Sequence, residues 1–186
     1  MSERPGSRPL LLLDVDGPLN PFATRFSWLP RGYTTHLIKP PSLVARYAPA
    51  PAETVRPYRV RLRAAHGELL RALPYELVWA TAWAHEANEF IGPVLGLPRL
   101  PVIEWPGDAG PELDGLLWKT RHIVAWADGR PFAWVDDAIG ERERRFVAAH
   151  HEGPALLHHV SPRKGLRKAD FTALAHWAAD RAAAQR

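Results

Sequence analysis

Leu10-Leu11-Leu12-Leu13 runs directly into Asp14-Val15-Asp16-Gly17. An apolar run without a polar face must, as a strand, be covered on both sides. That is the position of an inner strand in a parallel sheet lying between two layers of helices. In such sheets ligands bind beyond the carboxyl ends of the strands, so the two acids stand where a site is expected. Side chains two apart on a strand point the same way, and Asp14 and Asp16 are therefore expected to share that site.

The rest of the chain supplies partners for this strand. After residue 62 the sequence alternates in short units: a helix from His66 to Leu73 stopped by Pro74, a strand from Tyr75 to Ala80, and a helix from Ala84 to Leu95. A short strand from Pro101 to Trp105 follows, then a helix from Trp118 to Ala127 and a strand from Phe132 to Val135. A helix from Gly140 to His150, a strand from Ala155 to Val160 and an alanine-rich helix from Lys168 to Ala184 complete the pattern. Strands separated by helices imply right-handed crossovers and a mostly parallel sheet with helices on both faces, an α/β Rossmann-like fold. At 186 residues the chain fits one domain.

Residues 17–62 break the rhythm. Pro18, Pro21, Pro30, Pro40, Pro41, Pro49, Pro51 and Pro57 interrupt short aromatic and basic pieces. Proline removes a backbone donor and fixes φ, which excludes a long helix or a central strand. The segment reads as an ordered insertion of loops, with Tyr33 to Ile38 and Tyr58 to Leu62 as its strands.

Composition narrows the chemistry. With no cysteine there is neither a disulfide framework nor a thiolate metal site. The net charge of +4 comes almost entirely from arginine, which grips phosphates and carboxylates but at this level makes no nucleic-acid footprint by itself. The apolar run after the polar N-terminus is too short for a membrane span or a signal-peptide core. A soluble, cytoplasmic protein is expected, with no membrane association and no obligatory protein partner.

Other strand ends repeat the polar theme. YELVWAT ends in Thr81, FAWVDD ends in Asp136 and Asp137, and Lys119 stands early in a helix expected beside the same edge. Any one of these aspartates reads equally well as a turn or helix cap. Four carboxylates converging on one crevice repel one another unless a cation sits among them. Oxygen donors without cysteine or a suitable histidine pair favour a hard ion, Mg²⁺ above all. Magnesium favours phosphorylated substrates, for which Lys119 and the Thr81 hydroxyl complete an anion site.

At these residues the chain resembles the haloacid dehalogenase (HAD) superfamily of aspartate-nucleophile phosphatases. DVDGPLN is similar to the first motif, VWATAW to the second, the lysine of WKT to the third and WVDDAI to the fourth. More narrowly, the run from GYTTH to WVDD resembles compact bacterial HAD domains found in RNA-repair proteins. The resemblance implies that Asp14 is the nucleophile and Asp16 the general acid and base. It implies Mg²⁺ held by Asp14, the backbone carbonyl of Asp16 and the Asp136/Asp137 pair, with Thr81 and Lys119 on the phosphoryl oxygens. Pro18 departs from the threonine that many relatives carry after the first-motif glycine.

The resemblance further implies that residues 17–62 form a flap or small cap over the site. Arg25, Arg31, Tyr33, Arg46 and Trp83 are its candidate substrate-selecting residues. Aromatics interleaved with arginines suit a nucleobase and a second phosphate; they equally suit a small core of the insertion's own. The expected substrate is a phosphorylated small molecule or a nucleic-acid end. A non-catalytic module that binds phosphate ends of RNA or protein stays open beside the phosphomonoesterase, as does a phosphotransferase. The histidine doublets His150/His151 and His158/His159 read as helix-end and strand-end residues. His85-Glu86 lacks the second histidine of a zinc-protease helix, since Glu89 stands there.

Overall fold

The computed structural model describes residues 8–23, 31–106 and 114–184. Four parallel strands form its main sheet: β1 (Leu10–Leu13), β4 (Glu76–Trp79), β5 (Phe132–Asp136) and β6 (Ala155–His159), in the order β4-β1-β5-β6. The leucine run thus occupies an inner position, paired with β4 on one side and β5 on the other. All four of its side chains are fully buried.

Alternation along the strands divides the core in two. Leu11, Leu13, Trp79, Ala133 and Val135 face one layer, built from α2 (Ala65–Arg71), α6 (Lys168–Ala184) and the insertion. Leu10, Leu12, Val78, Phe132 and Trp134 face the other, built from α4 (Lys119–Ala127) and α5 (Glu141–His150). Burying one such aliphatic side chain stabilises by about 1.5–3 kcal/mol, so the sheet is anchored on both faces. Among the described residues, no helix is long and apolar enough to cross a membrane.

Two expectations change. The segment from Pro101 to Trp105 makes only a parallel bridge between Val102 and Trp79, not a strand. The helix expected from Ala84 to Leu95 is instead a turn, then a π-helical stretch at Ala87–Ile91, then one α-turn, α3 (Gly92–Leu95). Pro93 has no N–H to donate and its ring crowds the preceding turn, which favours the wider register. Asn88 sits inside this stretch. It accepts from Trp79 Nε1 (3.0 Å) and from the Leu100 amide (2.9 Å), and donates to the Leu100 carbonyl (2.8 Å).

The insertion contains β2 (Thr34–Ile38) and β3 (Tyr58–Leu62), antiparallel to each other and separate from the main sheet. Between them lies α1 (Pro41–Arg46), whose proline takes the first helical position, where no N–H is needed. The insertion packs inward through Ile38, Val60 and Leu62.

His66, on α2, is 1% exposed and packs against the rings of Tyr33 and Phe171. Burial, reinforced by Arg63 and opposed by Asp170, lowers its pKa from the ordinary 6.5 to about 4. Between those values the unfolded chain binds the extra proton and the folded one does not. Its contribution is therefore complete above about pH 6.5 and is lost as pH falls toward 4, on the order of 2–3 kcal/mol. Urea unfolding at pH 7 and 4.5 is expected to show this loss in the wild type. A His66→Leu variant should show a correspondingly smaller drop; equal drops would refute the assignment.

Candidate metal-assisted active site

The carboxyl ends of β1, β4 and β5 meet at one edge of the sheet. Asp14 follows β1 and stays in register with β5, its amide donating to the Val135 carbonyl (3.0 Å). Asp136 ends β5, with Asp137 next to it. One carboxylate oxygen from each of Asp14, Asp136 and Asp137 lies within 4.8 Å of the others. Asp14 and Asp136 are buried; Asp137 is partly open.

Lys119 is the counter-charge. Its Nζ donates to Asp14 Oδ2 (2.8 Å) and to Asp136 Oδ2 (2.9 Å), and it is 5% exposed. It reaches there because α4 begins at this residue, and the helix start is tied down by Glu143. That buried carboxylate accepts from the Leu117 amide (3.0 Å) and the Gly140 amide (2.7 Å), fastening the entries of α4 and α5 together. Asp136 is further held by the Ala138 amide (2.9 Å).

One ammonium does not balance three carboxylates. Burial drives the Asp14 pKa up to about 7; Lys119 opposes this, Asp136 adds to it, and the nearby Thr81 hydroxyl opposes it. Burial also raises Asp137, with Asp136 contributing in the same direction. On Lys119 burial works against the charge, but Asp14 and then Asp136 outweigh it and its pKa rises. The ionised forms of Asp14 and Asp137 are thus both disfavoured by their surroundings. Hard oxygen donors, a surplus of negative charge and close spacing suit a divalent ion such as Mg²⁺.

Asp16 stands near the same group, but its carboxylate has partners of its own. β1 ends at Leu13, and the chain turns at Gly17, whose φ is +89°. Both aspartates precede that turn, and it is their partners that separate the two carboxylates, that of Asp14 bonding Lys119. The Asp16 carboxylate instead accepts from Asn20 Nδ2 (2.7 Å) and Trp83 Nε1 (2.9 Å), leaving it outside the three-carboxylate group. It still adds to the upward shift of Asp137. Gly17 is needed for space as well as for its dihedral: a Cβ there would stand 2.5 Å from Asp137 Cγ.

Comparison with family models, curated proteins and solved structures returns no match. The chemistry of the site therefore rests on its own residues. Thr81, fully buried after β4, belongs to it through Asp14. Of the candidate selecting residues, Trp83 and Arg46 line a cavity of about 350 Å³ against Asp16. Arg31 and Tyr33 are not among its lining residues; Tyr33 is 7% exposed and packs on His66 in the core instead. Arg25 lies outside the described residues.

Asn20 and Tyr58 are the residues missed. Asn20 donates to Asp16 and accepts from the Arg61 amide (2.9 Å), joining the first turn to β3. Its position in DVDGPLN was visible; its partner, 41 residues away, was not. The histidine doublets are separated into local roles, such as His158 on Asp170 (3.0 Å) and His151 on the Arg130 carbonyl (3.1 Å). His85 pairs with Glu104 at the surface.

Proposed function

We propose that this chain is a Mg²⁺-dependent phosphomonoesterase of the HAD type that works through an aspartyl-phosphate. The observation that carries the reading is the trio of Asp14, Asp136 and Asp137 within 4.8 Å, with Lys119 bonded to two of them. Asp14, Asp137, Asp136 and the backbone carbonyl of Asp16 would hold the ion. When bound, Mg²⁺ supplies positive charge to offset the phosphoryl group and the surrounding carboxylates. Asp137 is the more available side chain of its pair, because Asp136 already serves Lys119 and Ala138.

Asp14 attacks phosphorus, and the bond from phosphorus to the ester oxygen breaks. Asp16 gives its proton to the departing oxygen. In the second half, Asp16 takes a proton from water as that water attacks the phosphorus of aspartyl-phosphate, releasing inorganic phosphate and restoring Asp14. Thr81 and Lys119 orient the phosphoryl oxygens and offset their charge. Asn20 and Trp83 fix Asp16 toward the leaving group. The insertion, through β3 and α1, acts as a small cap.

Hydrolysis of an aryl phosphate tests the reading. Activity is expected to fall by roughly hundredfold or more on chelation with EDTA, and to return when Mg²⁺ is restored. Undiminished hydrolysis by the chelated protein would overturn the metal assignment.

A further inference from the structure

We propose that the cavity beside Asp16 is a leaving-group subsite for a nucleoside, which makes nucleoside monophosphates the substrate class. The inference rests on the phosphomonoesterase reading. The group that protonates the leaving oxygen must touch it, so whatever is attached to that oxygen lies against Asp16. Asp16 lines a cavity of about 350 Å³, a size at the lower end of small-ligand pockets.

Its walls suit a flat ring. Trp83 and Tyr58 meet there with ring centroids 5.6 Å apart and planes inclined at 65°. Phe22, also on the lining, is 55% exposed, a large aromatic surface left in water at the mouth. Arg46 and Arg59 add guanidinium groups to the wall, and Arg46 also reaches the Tyr58 hydroxyl at 3.4 Å. Aromatic faces together with planar cations favour a heteroaromatic ring over a sugar or an aliphatic alcohol. Glu86 does not disturb this balance: its carboxylate is taken by the amide (2.8 Å) and hydroxyl of Ser42, which closes α1 onto the far wall.

Trp83 serves both parts of the site. Its ring lines the cavity while its indole N–H holds Asp16. It is for this reason unsuitable as the test position, as is Tyr58, whose ring packs on Trp83; the test falls on Phe22. Phe22 is exposed enough that replacing it leaves the core intact.

The test compares the wild type with Phe22→Leu and Phe22→Ser on adenosine 5′-monophosphate and on glycerol 2-phosphate, with Mg²⁺. Adenosine alone is titrated separately by calorimetry. The wild type is expected to favour the nucleotide by at least about tenfold in kcat/KM. Each variant should raise the nucleotide KM by roughly tenfold, the scale of one lost stacking face, with kcat and the glycerol 2-phosphate constants unchanged. Adenosine binding should weaken in parallel. Equal rates on both esters, equal damage to both in the variants, or no adenosine binding by the wild type would overturn the subsite. Adenosine carries no phosphate, so the two readings fail separately. Nucleoside capture without ester turnover removes the phosphatase, and indiscriminate turnover without capture removes the subsite.

Discussion

Replacing Asp14 with asparagine is expected to abolish turnover, by on the order of 10⁴-fold or more, while the protein stays folded. The magnitude follows from losing the only atom that bonds phosphorus, a loss that binding and orientation do not recover. The fold should tolerate the change because a carboxamide has the same shape. Its oxygen can keep the bond to Val15 or to Lys119, now made by Asp14 at 2.8 Å in each case. Burial already disfavours the charge of the wild-type group, so a neutral side chain is not foreign to this position. Phosphate release from an aryl ester, read beside circular dichroism, checks both halves. Acid-quenched mass spectrometry should find a phosphoryl adduct on wild-type Asp14 and none on the variant. A folded Asp14→Asn protein with wild-type activity would end the mechanism.

The second large effect is on stability. Lys119→Met should destabilise the metal-free protein by about 3–5 kcal/mol, the cost of leaving buried charge without its partner. Lys119 is the ammonium bonded to both Asp14 and Asp136, and methionine offers no donor at similar size. The pH dependence gives the loss a signature. A buried acid with a raised pKa weakens the fold when ionised, so that penalty is full above its folded pKa and relieved as pH falls through it toward the unfolded value. Removing Lys119 takes away the group that held Asp14 down, so its pKa should rise above about 7. Urea unfolding in EDTA is therefore expected to show the largest deficit near pH 8 and a smaller one near pH 6. Added Mg²⁺ should recover part of it. A deficit that ignores both pH and metal would identify lost packing, not charge, as the cause.

The main sheet was legible because leucine repeated four times leaves no polar face, and because β5 and β6 each open on a short apolar run, FAWV and ALL. Thr81, Lys119 and Asp136/Asp137 were legible because each stands at the end of a strand or the start of a helix. The sheet brings such ends together whatever lies between them. The partners of Asp16 needed the fold, since Trp83, which donates to its carboxylate, stands 67 residues along the chain. Tyr33 was left open between a selecting role and a core position, because an aromatic among prolines has no periodicity to show which way it faces. Its actual partner, His66, lies on a different element. The π-helical stretch is a similar case, since a helical pattern records apolar spacing but not the missing donor of Pro93. Asn20 needed the fold, because its bond to the Arg61 amide spans the whole insertion.

That bond has a consequence for engineering. β2 and β3 share no ladder hydrogen bonds with the main sheet, so exchanging the insertion would leave the sheet's own pairing untouched. Asn20 is nevertheless a hinge pin common to both parts, because the side chain that accepts from β3 also steadies Asp16. Grafted insertions are therefore interchangeable only if they present an amide where Arg61 now does. One that does not would release Asp16 as well as β3, and a library of exchanged insertions would be filtered first for that one donor.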